Sequence, residues 1–118
     1  MTHEQWMELT TEEQRFKVAE SLGLAPFYCG DGTMGSRPPD LLYRASHDEL
    51  KPVPNFLADL NAMHACMLMV RNRRLFANYY RHLRDVFAQR RLDFSTWDEH
   101  NTSAEIRAEA FVMTMEEQ

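Results

Sequence analysis

Residues 71–91 read RNRRLFANYYRHLRDVFAQRR, with seven arginines against a single acid, Asp85. The segment carries +6 in a chain of net charge −5, so the rest of the chain stands near −11. Arginine presents a planar fork of donors that fits phosphate or carboxylate oxygens two at a time, and its flat face stacks on aromatic or base surfaces. The chemistry open to this segment is therefore recognition of an anion. The candidate contacts are Arg71, Arg73, Arg74, Arg81, Arg84 and Arg91. Tyr79 and Tyr80 offer stacking surfaces between them, and the glycine-rich stretch GDGTMGSR adds Asp31 and Arg37.

Four occupants compete for such a face. One is plain water, with the arginines partly paired to acids elsewhere in the chain. The others are an acidic partner protein, a phosphate-bearing small molecule, and double-stranded nucleic acid. The last is disfavoured because an overall charge of −5 opposes approach to a polyanion. The same argument disfavours an anionic membrane surface.

Other chemistries find less support. The histidines are His3, His47, His64, His82 and His100, and no two have the i, i+4 spacing of a helical zinc site. His64 and Cys66 are two apart and would diverge on a helix. The acidic–histidine clusters HDE (47–49) and DEH (98–100) read as solvated loop residues or caps. His47, Asp48, Asp98 and His100 are nonetheless the first suspects if the chain is an enzyme. Cys66 lies among Met63, Met67 and Leu68 and reads as a small buried hydrophobe. GDGTMG lacks the lysine of a phosphate loop and reads as a turn. Nothing in the pattern calls for a metal or a cofactor.

Four helices should position these residues, at about 11–22, 55–70, 72–90 and 103–115, with a long loop over 25–53. The first has capping-box spacing at Thr10/Glu13 and again at Thr11/Gln14, and Gly23 is placed to stop it in a left-handed conformation. The second, with Pro54 in its first turn, puts Phe56, Leu57, Leu60, Met63, Met67 and Leu68 on one broad side and reads as the most buried helix. In the third, Leu75, Phe76, Tyr79, Leu83, Val86 and Phe87 fall within a sector of about 120° at 100° per residue. Arg73, Arg74, Arg81, Arg84 and Arg91 fall on the opposite side. Thr102/Glu105 has capping-box spacing for the last helix. Glycine and proline crowd the loop, where PFYC and LLYR have the character of short strands. The expected fold is mainly α, one domain over 1–118 with about four helices and a long irregular crossover; the alternative is α+β with a short hairpin or small sheet.

The bulk numbers agree with one globular domain. At 118 residues the chain can build a single core, and 44% apolar with 26% charged residues argues against intrinsic disorder. The longest apolar run, AMHACMLMV, falls short of the roughly 18 residues a membrane helix needs. MTHEQWMEL has no apolar core of an export signal. Cys29 and Cys66 read as free thiols of a reducing cytoplasm, with a single bridge between them as the alternative that spacing leaves open.

Three blocks of the chain carry a resemblance. PVPNFLADLNAMHACMLMV resembles the "VP-x-Y-L-x-D-L-N-A-M-H" stretch of a family of small tailed-bacteriophage proteins in the phage ABA sandwich domain group. SAEIRAEAFVMTM is similar to that family's "T-x-x-Q-R-A-E-A-F-L-x-T-L" ending, and TTEEQRFKVAESLGL to its opening helix. The arginine content of 71–91 and the MEEQ ending depart from the family pattern. The resemblance implies a phage accessory protein acting in the cytoplasm of an infected bacterium, and it implies no reaction.

The expectation is therefore a non-enzymatic accessory protein that binds and modulates a host bacterial protein, as an inhibitor of antiviral defence. The alternative is a sponge that sequesters a phosphate-bearing nucleotide signal, marked by a concave pocket rather than a flat arginine face. Homodimerisation through the methionine-bearing helices is a further expectation.

Overall fold

A computed structural model of the chain describes residues 1–29, 40–93 and 103–118. Among these it contains five helices and one small sheet: α1 His3–Glu8, α2 Thr11–Ser21, β1 Phe27–Cys29, β2 Asp40–Ser46, β3 Glu49–Pro52, α3 Leu60–Asn72, α4 Phe76–Gln89 and α5 Ala104–Glu116. The fold is α+β, which corrects the expectation of a mainly helical chain with four helices and a long irregular crossover, and agrees with the alternative of a small sheet.

The sheet is antiparallel in the order β1-β2-β3. Tyr28 pairs with Leu41 and Leu42 with Pro52; an irregularity between Arg44 and Ser46 leads into the turn at His47 and Asp48. Pro52, which cannot donate to a ladder, sits at the end of an edge strand, where that loss is tolerated. The sheet is anchored at one end. Leu41 and Val53 are buried, the Val53 amide donates to the Leu41 carbonyl at 3.0 Å, and Tyr28 stacks on Phe16 of α2 with ring centroids 5.6 Å apart. Arg15 of α2 donates to the carbonyls of Val53 and Pro54 and so ties the segment after β3 to that helix.

Helix α1 was not anticipated. Thr2 and Gln5 form a reciprocal capping box, at 3.1 and 2.9 Å, and the helix delivers Trp6 fully into the core. In α2 the Thr10/Glu13 box forms; Thr11 is already inside the helix, so the Thr11/Gln14 alternative is not used. Helix α3 begins five residues later than expected. Asp59 caps it through the Asn61 amide at 2.8 Å, while Phe56 reaches the core from the turn before it. Ser103 caps α5 through the Glu105 amide at 3.2 Å; Thr102 lies outside the described residues.

The most buried helix is α5, not α3. Nine of its thirteen residues are buried, and it packs against α2, α3 and α4. The face of α3 also differs from expectation, whereas that of α4 holds except at Phe76. Met63, Cys66 and Val70 of α3 and Tyr79, Leu83, Val86 and Phe87 of α4 enter the core. Leu60, Leu68 and Phe76 stay about 40% exposed.

Three helices end the same way. Gly23, Arg74 and Arg91 each have positive φ (80°, 57° and 57°). In each case the following amide reaches back five residues: Leu24 to Ala19, Leu75 to Val70, and Leu92 to Phe87, at 3.1, 2.9 and 2.8 Å. This is the Schellman closure, which favours glycine because a Cβ in the left-handed region costs roughly 1–2 kcal/mol. We expect Gly23→Ala to lose about 1 kcal/mol, although nothing lies within 4 Å of the added methyl. Arg74→Gly and Arg91→Gly should each gain a similar amount. Urea unfolding of the three variants checks the signs; an arginine-to-glycine change that destabilises would mean those side chains hold the fold by contacts.

Candidate functional site

The arginines of 71–91 do not form one face. Arg71 lies in the last turn of α3, Arg73 and Arg74 make the turn between α3 and α4, and Arg91 closes α4. Arg81 pairs with Glu117, which His82 Nε2 also meets at 2.8 Å. Hydrogen bonds from Arg81, then from His82, hold the Glu117 carboxyl below its usual range. Arg90 is only 17% exposed and contacts Glu109 at 3.0 Å and Glu105 at 3.4 Å. Asp31, Arg37, Asp98 and His100 lie outside the described residues. His47 and Asp48 stand in the β2–β3 turn, almost wholly in water.

Three helices instead enclose a cleft of about 540 Å³. Helix α3 supplies Leu60, His64, Met67, Leu68 and Arg71, spaced so that they share one side of the helix. Helix α4 supplies Phe76, Tyr79 and Tyr80, and α5 supplies Arg107. The rings of Phe76 and Tyr80 stack at 6.0 Å and 22°, and Tyr79 meets Tyr80 edge-on at 5.8 Å. The residues read as core, Leu60, Met67, Leu68 and Phe76, thus form the apolar and aromatic walls of the cleft. None of the residues lining it is acidic.

At its floor Arg107 is 6% exposed and Tyr79 is 1% exposed. Among the described residues no carboxylate pairs with Arg107, and neither its Nε nor the Tyr79 hydroxyl has a hydrogen-bond partner. Burial pushes the Tyr79 phenol up, while the neighbouring Arg107 guanidinium pulls the other way through its charge and a close side-chain approach that falls short of hydrogen-bond geometry. Tyr80 also borders a smaller recess of about 350 Å³, lined by Ala77, Tyr80, Arg81, Arg84 and Asp85. Tyr80 is therefore shared by two cationic depressions.

The sequence reading found Arg71, Tyr79, Tyr80, Arg81 and Arg84 and missed Arg107, His64 and Phe76. Cys66 is confirmed as a buried thiol, pushed up to about 12 by burial, and so is a poor nucleophile near neutrality. Among the described residues no three metal-ligating side chains converge, and no helix is long and apolar enough to cross a membrane. No family model, curated protein or solved structure matches the chain.

Proposed function

We propose that the protein is a phage accessory protein that acts by binding rather than by catalysis, and that it engages an acidic surface of a host bacterial protein in the infected cell's cytoplasm. Inhibition of an antiviral defence component is the consequence we assign to that binding. The observation that carries the reading is the surface centred on Tyr80, where Arg71, Arg81, Arg84 and Arg107 flank an exposed aromatic pair. Arginine and tyrosine are the residue types that most often dominate binding energy at protein interfaces, because they combine large contact area with directed hydrogen bonds.

The test is charge reversal at exposed positions. Arg71→Glu, Arg73→Glu and Arg84→Glu together should leave the fold intact, with a thermal midpoint within about 4 °C of the parent, since exposed substitutions of this kind cost little. A host protein retained by the parent from bacterial lysate should be lost by the triple variant. The parent alone should restore phage plating on a defence-bearing host. Retention of the same host protein by the triple variant would remove this surface from the proposal.

A second reading, sequestration of a phosphate-bearing nucleotide signal, is favoured by one observation: the surface is concave at Arg71, with a buried cation at the bottom.

A further inference from the structure

The geometry points to the cleft between α3, α4 and α5 as a binding site for a nucleoside phosphate, with the phosphate on Arg107 and Arg71 and the base on the Phe76–Tyr80 stack. The inference rests on the second reading above and deepens it by placing the phosphate and the base on named residues.

The volume of about 540 Å³ lies inside the range of roughly 300–1,000 Å³ typical of small-molecule sites. The stronger argument is the state of the buried charge. A guanidinium taken out of water without a counter-charge destabilises a fold, and the usual remedy is a paired carboxylate. This fold applies that remedy two residues further along the same helix, where Glu109 meets both His3 and Arg90. It does not apply it to Arg107, which instead borders an open cleft. The Tyr79 hydroxyl beside it is a second buried polar group without a hydrogen-bond partner among the described residues. A phosphate group has the acceptor oxygens to satisfy the fork and the phenol together.

The rest of the cleft selects among anions. Inorganic phosphate would use the floor and leave the walls uncovered. Phe76 and Tyr80 are each 40% exposed and stacked on one another, so their outer surface offers a flat aromatic platform of the kind that takes a base without regard to its identity. Leu60, Met67 and Leu68 supply the apolar wall against which a sugar and base lose water. Arg71 and His64 stand exposed at the mouth, where they can meet a second phosphate oxygen.

Thermal shift and titration calorimetry with AMP, ADP, cyclic di-AMP, cyclic di-GMP, adenosine, inorganic phosphate and a hexaglutamate peptide test the assignment. At least one nucleotide should raise the midpoint, on the order of 10 °C at a hundredfold excess over its dissociation constant, with adenosine and phosphate far weaker. Tyr80→Ala, at an exposed position, should fold normally and weaken the nucleotide about tenfold. Arg107→Met should abolish the response while raising the midpoint of the empty protein, because it removes an uncompensated buried charge. That rise separates a ligand-facing arginine from a structural one, whose loss lowers the midpoint. Three outcomes overturn the inference: no nucleotide shifts the midpoint, Arg107→Met still responds, or phosphate or hexaglutamate alone matches every nucleotide. If nucleotides fail while charge reversal at Arg71, Arg73 and Arg84 still removes host-protein capture, the cleft assignment falls and the binding function stands.

Discussion

Glu109→Ala should lower stability by about 3 kcal/mol or more, the scale seen when one member of a buried ion pair is removed. The Glu109 side chain has no exposed surface. Its Oε2 lies 2.6 Å from His3 Nδ1 and its Oε1 lies 3.0 Å from Arg90 Nη2, so the one carboxylate joins α1, the end of α4 and the middle of α5. Truncation leaves Arg90, 17% exposed, with only the half-exposed Glu105 at 3.4 Å as counter-charge among the described residues. It also frees α1 from its polar anchor. Glu109→Gln keeps the shape but removes the charge and one acceptor, since the glutamine oxygen can face Arg90 or His3 but not both, and its NH2 faces the other. It should lose less than alanine but still fall well below the parent. Urea unfolding monitored by circular dichroism measures all three proteins. A loss under 1 kcal/mol for Glu109→Ala would show that the site is wet and the pairing incidental.

Trp6→Ala should be of similar size, about 3–5 kcal/mol, as for other fully buried aromatic truncations. Trp6 has no exposed surface and heads the largest buried side chains of the core. It is carried by a helix of six residues, too short to be stable without its packing. The expected result therefore has a local component. Amide exchange along His3–Glu8 should become fast in Trp6→Ala even under conditions where α5 remains protected. The indole Nε1 has no hydrogen-bond partner among the described residues, so Trp6→Phe removes a buried unsatisfied donor along with some volume. Its cost should stay below about 2 kcal/mol, because the gain on the polar side offsets part of the cavity. Equal losses for alanine and phenylalanine would refute this division.

The two positions also show what the sequence could and could not reveal. Helix α2 was legible because its signals are local: a capping box at Thr10 and Glu13 and a glycine stop at Gly23. Helix α1 has the same kind of box at Thr2 and Gln5, but six residues hold too few turns for an apolar stripe, and Trp6 alone makes no period. The sheet was visible only as an alternative. Its strands are three, seven and four residues long and mostly exposed, so the in–out alternation that marks a half-buried strand is incomplete. The start of α3 was misplaced because Phe56 and Leu57 have helical spacing to Leu60 although they reach the core from a turn.

The site was half legible for a related reason. The anion-binding potential of 71–91 is a matter of composition and could be read directly. That Arg74 and Arg91 would leave the α4 face could not, because arginine is not the residue one expects in a left-handed helix stop. Arg107 was invisible. Between Glu105 and Glu109 it looks like an ordinary exposed helix arginine, and only a helix surrounded by three others turns it inward. Burial on all sides of α5 removes the stripe by which a sequence announces its core face.

The near-adjacency of Arg107 and Glu109 has a kinetic consequence. Residues two apart on a helix point to different sides, so α5 carries opposite charges outward in different directions. On one side Arg90 offsets the field of Glu109 at close range, and His3 contacts the same carboxylate. On the other, the field of Arg107 faces the cleft, between apolar walls formed by Leu60, Met67 and Leu68. Such walls concentrate field lines toward an opening. If the cleft takes an anion as inferred above, its capture should slow as added salt shortens the reach of that local field, even where every contact it finally makes is shielded from the salt.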